Sequence, residues 1–380
     1  MAYVNEPTSL YVHIPFCVRK CPYCGFFSVA GCHDLVPAYL NALRAELAAA
    51  PRVQPMQTIY VGGGTPTSLP TEQLRALLAM INGLVQKAPG CEFTIEANPG
   101  TVDAEKAAVL RDGGVNRVSL GAQSFQPRIL KKLGRIHGTD EIHRAVEIFR
   151  QAGFTNIGLD LIFAIPGQIL ADWQDSLDAA IALNVPHVST YGLSFDEGTQ
   201  FEQRLSARRM HKFSESGYLR MYDLARHRLR EAGFTHYEIS NFARPGLESR
   251  HNCNYWLNGG YLGVGASATG FVGGVRRTNV ADVEEYMRRI KSAGSAATFS
   301  EQLAPEHFAR ETAAFNIRYL PGIERESFRE RTGYDIEELF GGLIAQYSPE
   351  FLIYENGVLR LTEQAVACAD SISAEFLRKE

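Results

Sequence analysis

Short apolar runs rich in Val, Ile, Tyr and Thr recur along the chain, and between them the apolar positions switch to helical spacing. The runs fall at Leu10–Ile14, Thr58–Val61, Phe93–Ile95, Arg117–Leu120, Ile157–Ile162 and His187–Tyr191. The intervening stretches include "LVPAYLNALRAELAAA" and "TEQLRALLAMINGLV". In the second, Leu74, Leu77, Leu78 and Ile81 share one helical stripe, as an amphipathic helix packed on a core requires. Strand alternating with helix predicts an α/β fold with a parallel sheet under helical cover. Six such units suit a partial (β/α)6 barrel of TIM type. An open doubly wound sheet gives the same periodicity and stays open at this level.

Beyond the last strand the pattern changes. Residues 291–306, "KSAGSAATFSEQLAPE", are rich in Ala, Ser and Gly and read as a linker. Helical patterns follow, then "FLIYENGVLRLTEQAV", where Asn356-Gly357 between two apolar runs is a hairpin signal. This predicts a division into residues 1–280, the barrel with an extension, and residues 281–380, a C-terminal α+β unit resembling a winged helix. Such units often bind DNA. Here 281–380 carry 11 Lys and Arg against 18 Asp and Glu, a net of −7. Neutralising phosphates needs the opposite sign, so no nucleic-acid partner is expected.

A chain of 380 residues, 45% hydrophobic, can bury more than one core. No apolar run reaches the length of a membrane span, and "MAYVNEPTSL" lacks the features of a secretory leader. A cytoplasmic protein is expected, with peripheral membrane association left open. The seven cysteines fit that compartment: the count is odd, and Cys32, Cys91, Cys253 and Cys368 are scattered.

The other three are not. Cys17, Cys21 and Cys24 lie in "HIPFCVRKCPYCGFF" with the spacing C-x3-C-x2-C. A structural zinc site would need a fourth ligand, for which Cys32, His33 and His13 are candidates. A cubane iron–sulfur cluster held by three thiolates instead leaves one iron open. That iron can take a chelating amine and carboxylate, such as the methionine end of S-adenosylmethionine (SAM). Further candidates follow the strands, where α/β barrels place their sites. They are the glycine run in "IYVGGGTPTSLP", Glu96 in "TIEANPG", Gln123 in "LGAQSF", Arg135 in "KKLGRIH" and Asp160 in "GLDLIFAIPGQ". The glycines fit neither a P-loop nor a dinucleotide fingerprint. A carboxylate can accept from an ammonium or a ribose hydroxyl, and a guanidinium can fork onto a carboxylate.

The cysteine spacing with Tyr23 inside it, followed in order by these motifs, resembles the radical SAM superfamily. Within it the chain is similar to the HemN-like branch, which contains oxygen-independent coproporphyrinogen III dehydrogenases and heme chaperones. The likeness rests on "YVHIPFC", "GGGTPT", "LGAQSF", "DLIFAIPGQ", "YEISNFARPG", "HNCNYW", "YLGVGA" and "LRLT" and covers nearly the whole chain. It implies a [4Fe–4S] cluster on Cys17, Cys21 and Cys24. It also implies a SAM site lined by Tyr11, Tyr23, Gly63, Gly64, Thr65, Glu96, Gln123, Arg135, Asp160 and Ser194. One-electron reduction of the cluster would cleave SAM, so an electron donor is implied.

Sixteen residues precede Cys17, and Phe26 stands where the dehydrogenases typically carry a fourth cysteine. Both features point to the chaperone side, as does "RHNCNYW", a motif associated there with heme. The resemblance thus implies heme as ligand, with His251 as candidate iron ligand, Tyr255 and Trp256 as flat faces, and a respiratory hemoprotein as acceptor. Cys253 is a second candidate ligand. One departure stands out: "YLGVGASATG" has Thr269 where relatives commonly have His. The alternatives are oxidative decarboxylation of coproporphyrinogen III and another radical modification of a porphyrin.

Overall fold

The structure is a computed structural model that describes residues 6–51 and 54–378. The reading of "MAYVNEPTSL" as no leader therefore rests in part, over residues 1–5, on positions outside the described residues. Six parallel strands form the centre: β1 (Ser9–Ile14), β2 (Met56–Gly63), β3 (Lys87–Ala97), β4 (Arg117–Gln123), β5 (Asn156–Phe163) and β6 (His187–Gly192). They lie side by side in chain order, with Ser9 opposite Thr58 and Ile14 opposite Gly63 at the first pairing. Sequential order without reversal is a singly wound barrel. A doubly wound sheet would reverse direction at a switch point.

The helices Val36–Ala49, Thr71–Leu84, Ala104–Asp112, Thr139–Gln151 and Leu170–Ala182 connect successive strands. Each buries the stripe its sequence predicts: in Thr71–Leu84 this is Leu74, Leu77, Leu78, Met80 and Ile81. Because helices cover the outer face, the strands read as near-continuous apolar runs. The fully buried Trp173 crosses between two covering helices and donates from Nε1 to the Met221 carbonyl at 2.8 Å.

Six more strands extend this sheet: β7 (Thr235–Glu238), β8 (Asn241–Ala243), β9 (Tyr261–Val264), β10 (Thr269–Val272), β11 (Val275–Asn279) and β12 (Ala297–Gln302). The order is β12-β11-β10-β9-β1-β2-β3-β4-β5-β6-β8-β7. Strand β9 runs parallel to β1, whereas β8 is antiparallel to β6. The outer edges β12 and β7 are not paired with each other, so the barrel is partial.

The stretch read as a linker is corrected here. The helix Val283–Ala293 ends at Gly294, whose φ of 68° no β-carbon residue adopts cheaply. The chain then enters β12, which pairs antiparallel with β11. Most of β12 is exposed, and polar, solvated edge strands lack the apolar alternation that would reveal them. The main sheet therefore runs past residue 280 to Gln302.

The C-terminal unit is α+β and winged-helix-like. Helices Pro305–Asn316, Arg325–Thr332 and Ile336–Tyr347 precede a hairpin, Leu352–Glu355 with Val358–Leu361, and the helix Ala369–Phe376 closes it. Asn356 and Gly357 both have positive φ, 53° and 77°, the conformation of a type I′ turn. Phe328, Phe340 and Phe376 are buried together, the last two in edge contact at 4.9 Å. The unit is tied to the barrel at Leu320, whose N–H donates to the Tyr237 carbonyl at 3.0 Å, and through Arg226 and Arg230, both bonded to Glu363. No helix among the described residues is long and apolar enough to cross a membrane.

Candidate cofactor site in the barrel

A cavity of about 410 Å³ occupies the barrel interior, within the size range of cofactor sites. All three clustered cysteines line it, together with Tyr23, Gly63, Gly64, Thr65, Glu96, Gln123, Arg135, Asp160 and Ser194. Residues spread over nearly 180 positions thus meet in one space.

The cysteine loop is pinned at both ends. Phe16–Cys17 pairs with Val29–Ala30, and Val29 N–H donates to the Pro15 carbonyl at 2.7 Å. Within the loop, Cys24 N–H donates to the Cys21 carbonyl at 3.2 Å. Pro22 packs against Gly134, where a β-carbon would stand 2.8 Å from its ring. Its carbonyl accepts from Phe201 N–H at 3.0 Å, and Tyr23 lies against the Phe201 ring.

The thiols are half-buried. Arg135 donates from Nη1 to Cys21 Sγ at 3.5 Å and from Nη2 to the Gly121 carbonyl at 2.8 Å. Thr65 Oγ1 lies 3.6 Å from Cys17 Sγ. Burial pushes the Cys17 and Cys24 thiols up, so metal must displace their protons to bind. Among the described residues no three His, Cys, Asp or Glu side chains are grouped to hold a single metal ion. A loop with three thiols lining one cavity fits the three-cysteine donor set of a cluster.

In the same cavity, Glu96 accepts from Tyr60 Oη at 2.8 Å and from Gly63 N–H at 3.0 Å. Burial raises its carboxyl to about 7. The glycine run is built around this carboxylate: a β-carbon at Gly62 would stand 2.7 Å from Glu96 Cδ. One at Gly63, where φ is 109°, would stand 2.4 Å from His13 Cε1. Asp160 accepts from Ser119 Oγ at 3.1 and 3.0 Å and from Ser189 Oγ at 2.7 Å. Burial nonetheless raises its carboxyl. Gln123 has φ of 67° at a register shift in β4. That is a strained backbone for a non-glycine residue at the mouth of a site. Ser194 sits at the exposed rim and donates to Asp196 at 3.1 Å.

Tyr11 and the heme candidates His251, Cys253, Tyr255 and Trp256 lie outside the lining. Tyr11 Oη is 2.9 Å from His13 Nδ1, which places it behind Gly63. His251 is 0% exposed, and both its ring nitrogens are engaged, Nδ1 by Thr58 Oγ1 at 2.7 Å and Nε2 by Tyr255 Oη at 2.9 Å. It stacks on Tyr60, and burial holds its pKa down at about 3. In this conformation the ring offers no lone pair to a heme iron. Trp256 is covered on one face by the Arg318 guanidinium at 4.8 Å. Cys253 is partly buried, and burial pushes its thiol up to about 12. Thr269 Oγ1 meets Thr278 Oγ1 across β10 and β11 at 2.9 Å.

The cavity also holds Arg117, Ser119, Tyr191, His187, Ser189 and Asn252, which the sequence reading passed over. Their signal was present. Arg117 and Ser119, and His187, Ser189 and Tyr191, are polar residues at alternate positions of otherwise apolar strands, the pattern of a lumen face.

Residues 11–180 match the model of the Radical SAM superfamily, so the chain takes a [4Fe–4S] cluster and SAM. The heme chaperone HemW of Bacillus subtilis is 36% identical over 97% of this chain and 99% of its own length. That of Lactococcus lactis is 35% identical over 98% of each. The chain belongs to the HemW family. Coproporphyrinogen III oxidase (HemN) from Escherichia coli, a radical SAM enzyme, superposes with a TM-score of 0.85 over 99% of this chain and 91% of its own. At 22% identity that shows a shared fold.

Proposed function

We propose that the protein binds heme and delivers it to an acceptor hemoprotein, in the cytoplasm. The observation that carries this reading is end-to-end similarity to relatives named heme chaperones. The acceptor is a respiratory hemoprotein in this reading, and a separate donor reduces the cluster.

Cys17, Cys21 and Cys24 hold the cluster, and Arg135 lays positive charge against Cys21. Tyr23, Gly63, Gly64, Thr65, Glu96, Gln123, Asp160 and Ser194 line the SAM space, with Tyr11 supporting Gly63 from behind through His13. When bound, the cluster and SAM supply one-electron chemistry at a sulfonium. Glu96, fixed by two donors, is placed to accept from a ligand's ammonium or hydroxyl groups.

The test is an anaerobic hemin titration of cluster-loaded protein, followed by Soret absorption. Saturation at about one heme per chain, with no protoporphyrinogen formed from coproporphyrinogen III, is the expected result. Non-saturating binding, or porphyrinogen turnover, returns the protein to the enzyme class.

A further inference from the structure

The floor of the barrel cavity holds a guanidinium that no acceptor engages, although the buried Asp160 carboxylate is near enough for the two charges to interact. Arg117 opens β4, is 1% exposed and lines the cavity. Among the described residues its side chain has no hydrogen bond or ion pair, and Nε is sealed from solvent without an acceptor. Asp160, which lines the same cavity, spends its oxygens on Ser119 and Ser189.

A second orphan stands beside it. His187 is buried, its Nε2 is 2.9 Å from Tyr237 Oη, and its Nδ1 has no partner. Both orphans flank one spot. A β-carbon on Gly158 would stand 3.2 Å from His187 Nδ1 and 3.5 Å from Arg117 Nη2. Gly158 precedes Asp160 by two positions on β5 and so faces the same lumen. A bare glycine thus leaves room between an unpaired guanidinium and an unpaired imidazole nitrogen.

A buried guanidinium whose N–H groups find no acceptor is costly. Asp160 supplies charge nearby, but its hydrogen bonds go to the two serines and leave the Arg117 fork unfilled. A planar two-oxygen acceptor matches the guanidinium fork. Glu96 and Asp160 share the cavity, so a monoanion meets less repulsion there than a phosphate dianion.

We infer that Arg117 and His187, on either side of Gly158, form a seat for a ligand carboxylate at the barrel floor. The carboxylate comes from a porphyrin propionate or from a small free carboxylate. The porphyrin source rests on the heme reading above, and the seat itself does not.

The experiment uses the full, cluster-loaded chain and its Arg117→Met variant. Each is titrated with hemin, with hemin dimethyl ester, and with propionate alone by calorimetry. For a porphyrin source, esterification weakens binding to the wild type by roughly 10- to 100-fold, and the difference shrinks to within about threefold in Arg117→Met. For a free carboxylate, hemin and its ester bind alike, and the propionate heat seen with wild type vanishes in the variant. If Arg117→Met changes neither comparison, the seat is overturned. If hemin fails to bind the wild type at all, the heme reading falls while the propionate titration still decides the seat. Should Arg117→Met not fold, Arg117→Lys keeps the charge and loses the fork. An unchanged ester ratio and propionate heat in that variant would also overturn the assignment.

Discussion

Two stretches of this chain look alike as sequence and differ as structure. "CVRKCPYC" and "RHNCNYW" each crowd metal-binding side chains into a few positions. The first presents its thiols to a cavity, where Arg135 and Thr65 touch two of the sulfurs without closing the space in front of them. The second is a helical turn in which His251 is sealed, with both ring nitrogens bonded and its backbone N–H donating to Glu92 at 3.1 Å. Ligating side chains mark a site when their donor atoms are left for something else. When the protein uses them, they make a joint.

The largest effect expected is at the open stretch. Cys21→Ser should abolish most of the bound iron and the broad visible absorption of the cluster, read by metal analysis after anaerobic reconstitution. A spectrum like wild type would place ligation elsewhere and remove the contrast.

His251→Ala is expected to act on stability first. It empties a buried site, strands the Tyr255 hydroxyl and leaves Thr58 Oγ1 with only its bond to Ser9, a loss of about 3 kcal/mol visible in the urea midpoint. A variant of native stability with an altered hemin Soret band would instead move residues 250–256 to the open side of the comparison.

Gly63→Ala tests the glycine run beside the cysteine loop. The φ of 109° and the 2.4 Å approach to His13 predict a loss of about 2 kcal/mol, measured by thermal unfolding of the cofactor-free protein. Little loss would mean that His13 can move aside.

Glu96→Gln should give a pH-dependent stability change of opposite sign. The folded carboxyl is raised to about 7, above its unfolded value near 4.5. Its contribution is therefore full below pH 4.5 and is lost as pH rises through 7. At pH 8 the Gln variant should be more stable by about 1–3 kcal/mol, and the gain should vanish at pH 4.5. The same variant should bind SAM about tenfold more weakly. Equal stability at both pH values would show that Glu96 is not the proton-holding group.

The alternation of strand and helix was legible because each element carries its own period: Leu74, Leu77, Leu78 and Ile81 declare a helix without reference to anything else. The hairpin at Asn356-Gly357 was legible for the same local reason. The strand Ala297–Gln302 was not, since its identity depends on pairing with Val275–Asn279 and its side chains are mostly solvated. The cluster loop could be read from spacing because three ligands lie in one turn of chain.

The sequence by itself determined the elements, the cysteine triad and the family motifs, all set by neighbours within a few residues. Only the tertiary structure decided that His251 is sealed between Thr58 and Tyr255, and that Arg117 stands without a hydrogen-bond acceptor beside Gly158 and His187. Pairing and burial are relations between residues far apart in the chain. Whether a polar group is satisfied or left waiting becomes physical only once those residues have been brought together.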